Sequence, residues 1–268
     1  MSSFSNRILI FAVASAAAFF LNGEKPKVSF VSGKVEYVEL VDGKANSIGI
    51  IENNCSIQSN HLIATAKGSR TQIQYDSKTW RLGSLSAARW LDNDSFWIHS
   101  GSALFCSEEI TTVHFSSIES NATFYGKGTI IVEATSNGGF KFIPLEAEGT
   151  ISTAKGGVKN ITEGQMLLIL GQPSEFGDAY DIDLMLLVKS SRLINYFPSP
   201  LSTFDQIGLA IYVQQLKLKG KYDALIGDAT TNENLQLWKF GKNTNAEPST
   251  SQSPESKKGF FKSFFGKE

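Results

Sequence analysis

The sequence predicts a mainly β protein followed by a small α-helical C-terminal extension. Three observations carry this. Short alternating or β-branched runs recur from Lys27 to about Gln172, with turn residues between them. Beyond Asp181 the apolar residues fall at helical spacing instead. The composition agrees, since 19 Phe and 23 Gly against 7 Pro suit many short strands joined by tight turns.

The strands are expected, in order, at Lys27–Val31, Lys34–Leu40, Gly49–Ile51, His61–Ala64, Thr71–Tyr75, Thr79–Leu82, Phe96–Ile98, Ala103–Phe105, Thr111–Phe115, Thr123–Phe124, Thr129–Glu133, Phe140–Leu145, Gly149–Ser152 and Gln165–Leu170. Asp42-Gly43, Asn53-Asn54, Asp76-Ser77, Asn93-Asp94, Ser100-Gly101, Asn137-Gly138-Gly139, Lys155-Gly156-Gly157 and Glu163-Gly164 mark the turns. Gly126 and Gly128 also read as hairpin turn residues. This β domain spans residues 27–172. Its strand spacing suits a sandwich, a barrel or a solenoid, and no strict repeat chooses among them.

The helical extension spans residues 178–230. Leu184, Leu187, Val188 and Ile194 form an apolar face after an acidic start suited to a helix N-terminus. Phe197-Pro198-Ser199-Pro200 breaks that helix. A second opens at Thr203, with Gln206 completing a capping box, and carries Ile207, Ala210, Ile211 and Gln214. Tyr222–Ala229 reads as a third short helix. The group forms a subdomain or a cap on one end of the β unit.

Both ends differ from the body. Residues 1–23 hold one cation, Arg7, and an apolar run, Ile8–Leu21, interrupted only by Ser15. That run fits a signal peptide or a signal anchor and is shorter than the ~20 residues of a spanning helix. Residues 241–256 read as a disordered linker rich in Asn, Thr, Ser and Pro. Residues 257–268 form a basic, aromatic tail. On a helix Phe260, Phe261, Phe264 and Phe265 would share one face, with Lys257, Lys258 and Lys262 beside them, a pattern for docking to a membrane surface or a partner.

Composition also excludes functions. A net charge of −1 argues against a nucleic-acid partner, and a mean hydropathy of −0.10 against a multi-span membrane protein. Two cysteines cannot build a disulfide-dense scaffold or a four-cysteine zinc site. If the chain is exported, Cys55 and Cys106 have the option of one disulfide, the alternative being two buried thiols. His61, His99 and His114 lack metal-ligand spacing and read as strand-edge residues. Asp178, Asp181 and Asp183 lack the rest of a calcium loop and read as helix N-terminal acids. Asn121-Ala122-Thr123 and Asn160-Ile161-Thr162 are sequons that matter only in a eukaryotic secretory route. No phosphate cradle and no Gly-x-Ser-x-Gly elbow occurs. Trp80, Trp90 and Trp97 have two readings, core packing or a carbohydrate-stacking platform. Nothing in the chain calls for a cofactor, a metal or a catalytic residue.

A set of motifs in order resembles the FecR domain from about Phe30 to Leu170. Gly33-Lys34-Val35 opens it. Leu62-Ile63-Ala64-Thr65 follows, then Gly68-Ser69-Arg70-Thr71-Gln72-Ile73 and Trp80-Arg81-Leu82-Gly83. Gly128-Thr129-Ile130-Ile131-Val132-Glu133, Gly138-Gly139-Phe140 through Glu146, and Glu163-Gly164-Gln165-Met166 complete it. The helices after Asp181 look similar to tails on FecR-like proteins of the Verrucomicrobia and their relatives. The resemblance implies a twisted β-roll or solenoid-like unit, exported to the periplasm or cell envelope. The best-known members also carry a cytoplasmic segment that acts on a sigma factor, and Met1–Arg7 is too short for that role. The expectation is therefore a non-enzymatic extracytoplasmic binding module with an envelope protein as partner. The alternatives are a glycan or peptidoglycan ligand, or a FecR-type regulator.

Overall fold

The computed structural model describes residues 25–91, 94–218, 222–225 and 238–241. The expectations for residues 1–23, the 241–256 linker beyond Gly241 and the 257–268 tail lie outside the described residues. The mainly β reading holds, with helices near the C-terminus. Fourteen strands form one large mixed sheet.

The first eight strands are β1 (Lys27–Ser32), β2 (Val35–Val41), β3 (Lys44–Ile50), β4 (His61–Thr65), β5 (Arg70–Tyr75), β6 (Lys78–Leu82), β7 (Ala87–Trp90) and β8 (Ser95–Ser100). Then come the long strands β9 (Ser102–Ser116), β10 (Asn121–Ala134) and β11 (Phe140–Thr153), followed by β12 (Gly157–Asn160), β13 (Gln165–Leu170) and β14 (Glu175–Asp181). The backbone path β14-β13-β11-β10-β9-β8-β7-β4-β2-β3 forks at β9. Its first half pairs with β6, which leads through β5 to β1, and its last residues pair in parallel with β8. The two arms fold over one core. Trp80 of β6 stacks on Phe96 of β8 at 4.3 Å and meets Trp90 of β7 edge-on at 5.7 Å.

Six of the predicted short strands fuse pairwise into β9, β10 and β11, and glycine explains the misreading. Gly126 and Gly149 face each other across β10 and β11, and Gly128 lies two residues on. They are interior to strands, not at hairpin turns. There β9 bulges: Ser107 faces Gly128 and Thr111 faces Gly126, so four steps of β9 answer two of β10. A second shift falls between Thr129 and Ile130, opposite Pro144. Bulges and glycines bend long strands. Elsewhere turn chemistry reads directly: Asp42 and Gly43 both take positive φ, 51° and 74°, in the two-residue β2–β3 turn.

On one side of this bend the sheet is buried on both faces. Ala103, Phe105, Ile130, Val132, Phe140 and Phe142 point into the core between the arms. Leu104, Cys106, Ile131, Ile143 and Leu145 point the other way, into a second core under the helices. The helices are α1 (Leu184–Ser190), α2 (Arg192–Asn195) and α3 (Phe204–Leu218). They cover a face of the sheet rather than cap its end, a third layer. Asp183 caps α1, its side chain accepting from the Leu186 N–H at 3.0 Å. The predicted first helix is split at Ser191. The α3 residue Gln214 stitches the layer: it accepts from Leu184 N–H at 2.9 Å and donates to Ile182 O at 2.5 Å.

Three further expectations are corrected. Glu175–Asp181 is the strand β14, so the β domain runs past 172 and Asp178 and Asp181 lie on a strand. Gly157–Asn160 pairs with β11 as β12 and is not only a turn. Tyr222–Leu225 is not helical; it forms β15, antiparallel to β16 (Trp238–Gly241). Local sequence there admits either state, and cross-strand pairing decides it.

Glu146, beside the β11 shift, is half-buried, and its Oε2 has no hydrogen-bond partner among the described residues. Burial first, then the charges of Glu163 and Glu148, push its carboxyl above the ordinary value, with Lys127 offsetting in part. A raised acid pKa in the folded state means folding takes up protons. Stability from this group is therefore lost as pH rises into and through its raised range. Glu146→Gln is expected to stabilise by up to about 1 kcal/mol at pH 7. Urea melts should show that gain shrink as pH falls toward 4; an equal gain at both would contradict it.

Candidate functional site

The sheet has an open edge at β3. β3 ends the strand order, with β2 its one sheet neighbour among the described residues. Its far side carries backbone donors and acceptors that an added strand can take up. Ile48 and Ile50 are 70% and 68% exposed. Register places Ile48, Val38 and Leu62 side by side across β3, β2 and β4. The opposite face holds Tyr37, which packs toward the core, so these three side chains share the outer face. Together they make an apolar row along an unpaired edge.

The inner face fixes that edge in place. Tyr37 lies over Gly49 of β3, filling the space a side chain there would need. It also stacks on His61 of β4, with ring centroids 4.2 Å apart. Glu39 next to it accepts from Ser47 Oγ at 2.8 Å, from Asn46 Nδ2 at 3.0 Å and from Asn60 Nδ2 at 3.2 Å. These bonds, Ser47 foremost, hold the Glu39 carboxyl below its ordinary value. Burial pulls the His61 imidazole down, and Glu39 opposes that. Gln58 N–H donates to His61 Nδ1. The carboxylate thus ties β3 and the loop before β4 to β2.

The sequence-predicted residues fall elsewhere. Cys55 is exposed in the loop after β3 and Cys106 is buried on β9; both are free, so the disulfide that export would permit is not formed. Cys106 faces the helical layer, with its Sγ 3.6 Å from Ser202 Oγ and from Thr203 Oγ1. Thr203, read as half of a capping box, turns its hydroxyl onto Thr129 of the sheet. Trp80 and Trp90 are 3% exposed and Trp97 half-buried, so a three-tryptophan stacking platform does not exist. His114 bonds Thr123 at 2.9 Å and His99 lies against Trp97. Among the described residues no group of three or more His, Cys, Asp or Glu could hold a metal ion, and no helix is long and apolar enough to cross a membrane. The docking residues proposed in the tail, Phe260, Phe261, Phe264, Phe265, Lys257, Lys258 and Lys262, lie outside the described residues.

Sequence reasoning missed the β3 edge because Lys44–Ser47 is polar and breaks the alternating pattern. The signal was present in the Asp42-Gly43 turn, which demands a partner strand on each side. No protein-family model and no curated protein matches this chain.

Proposed function

We propose that the protein is a non-enzymatic, extracytoplasmic binding module of FecR type in a bacterial cell envelope. Its partner is another envelope protein, which adds an extended segment along β3. The observation that carries the partner is the unpaired edge with Ile48 and Ile50 exposed beside it. Backbone pairing supplies affinity in strand addition, and the apolar row selects alternate side chains. The FecR assignment is supported by the order of the motifs on the fold. Gly33-Lys34-Val35 leads into β2, Leu62–Thr65 falls in β4, Gly128–Glu133 in β10, Phe140–Glu146 in β11, and Gln165-Met166 opens β13. Export rests on the apolar leader at 8–21, which either is removed or anchors the chain. The basic aromatic tail at 257–268 would hold the module against a membrane surface.

Ile48→Lys with Ile50→Lys tests the partner surface. Pull-downs from envelope extracts should recover a discrete partner with the native chain and lose at least nine-tenths of it with the double variant. Circular dichroism should be unchanged, because both side chains are exposed. Equal recovery by both chains would sink the β3 reading. Cell fractionation with mass determination of the mature protein tests export, and a full-length cytoplasmic product would overturn it.

A further inference from the structure

A small cationic cleft opens where the sheet meets the helical layer. It encloses about 230 Å³ between the β4–β5 turn, the loop after β6 and the segment after α2. Ser69, Arg70, Ser84, Arg192, Tyr196 and Phe197 line it. No acidic side chain does, although acids outnumber bases in the whole chain.

Both guanidinium groups gather on one ring. Cζ of Arg70 lies 5.8 Å and Cζ of Arg192 5.9 Å from the Tyr196 centroid. Arg70 is aimed by its Nε, which donates to Tyr196 O at 2.5 Å, and by the Phe30 ring at 5.8 Å. That leaves its two Nη groups for a ligand. Neither arginine joins a carboxylate among the described residues. The serines are set in the same sense. Ser69 Oγ accepts from Lys34 N–H at 2.8 Å, and Ser84 Oγ accepts from Gly68 N–H at 2.7 Å. Each hydroxyl oxygen is thereby turned, and its own proton remains to donate. Ser69 is only 4% exposed.

We infer that this cleft binds a phosphate-type oxyanion. Two guanidinium forks and two hydroxyl donors match its several acceptor oxygens and its charge, where a lone carboxylate needs one fork. The Tyr196 and Phe197 rings form one wall of the site. The site stands independently of strand addition at β3.

The test is calorimetric titration of the full chain with inorganic phosphate, for the native protein, Arg70→Gln and Arg192→Gln. Saturable binding is expected in the native chain, weakened at least tenfold by either change. Arg192 is exposed, so its variant keeps the fold if Arg70→Gln disturbs Tyr196. No saturable heat at millimolar phosphate, or equal binding by all three chains, overturns the inference. Sedimentation with phosphatidylglycerol against phosphatidylcholine vesicles names the source of the phosphate. Retention on the anionic vesicles, lost in both variants, assigns a lipid headgroup. Phosphate binding without retention assigns a soluble phosphate ester.

Discussion

Gly149→Ala is expected to destabilise the protein by about 4 kcal/mol, a large part of the stability an ordinary domain has. Gly149 has φ 135°, a region that residues with a Cβ scarcely enter. A Cβ there would collide with the carbonyl oxygen of Tyr125 on the paired strand, and backbone in a paired strand has nowhere to go. Its partner across the ladder is Gly126, whose own Cβ would strike Glu148 O. The two chains pass so closely at this point that neither tolerates a side chain. Because the bend sends β10 and β11 from the doubly covered half of the sheet to the half covered on one face, straightening it would pull apart both cores. Gly157→Ala is the internal control. It also has positive φ, 70°, but nothing lies within 4 Å of a Cβ there, so backbone strain alone should cost about 1 kcal/mol. Urea denaturation of the two variants separates collision from strain. Equal losses would show that the crease is not a site of close approach.

Much of the fold was legible because it is written in local chemistry. β1, β2, β4, β5, β6 and β13 fall where alternating or β-branched runs stand between turn residues. Helix α1 begins where Asp183 can cap it. What escaped was set by contacts distant in sequence. The glycines at 126 and 128 look like turn residues and Gly149 like the start of a short strand, and only the neighbouring strands show that all three sit in a bend. β14 hides because Glu175–Asp181 has little apolar content, and it exists because β13 offers a ladder. The candidate sites were less legible still. Ile48 falls just outside the predicted strand Gly49–Ile51 and Ile50 reads as an ordinary strand residue, until the strand order places both at an edge. Arg70 and Arg192 are 122 residues apart in the chain, and nothing in either local pattern announces a shared cleft. The cysteine pairing was open for the same reason: redox compartment permits a bond, but only the fold places Cys106 inside and Cys55 outside.

Arg81 carries the second large effect. It sits on β6 at 1% exposure, beneath the segment that follows α1. Its Nε donates to Gln72 Oε1 at 2.9 Å. Nη1 serves Leu193 O at 3.0 Å and Ile194 O at 3.2 Å, and Nη2 serves Ser199 O at 2.6 Å. The Phe197 ring lies 4.4 Å from Cζ. Burial pulls its pKa down to about 10, still far enough above neutrality to keep the charge. Such a group costs desolvation energy, and replacing it with an apolar side chain is often harmless when its partners go too. Here they cannot go, because three are backbone carbonyls. Arg81→Met would leave the Leu193 and Ile194 oxygens and Gln72 buried without this donor, and the exposed Ser199 to water, at an expected cost of about 3–5 kcal/mol. Arg81→Lys keeps the charge but not the fork, so it should recover only part of the loss. The damage should also be local before it is global, since three of the four bonds of Arg81 run to residues 193–199 and only the one to Gln72 links strand to strand. Hydrogen exchange at Leu193–Phe197 in Arg81→Met should therefore rise well before exchange in β10. Uniform acceleration across both would mean that the arginine holds the sheet itself, and that the helical layer is no separate unit of stability.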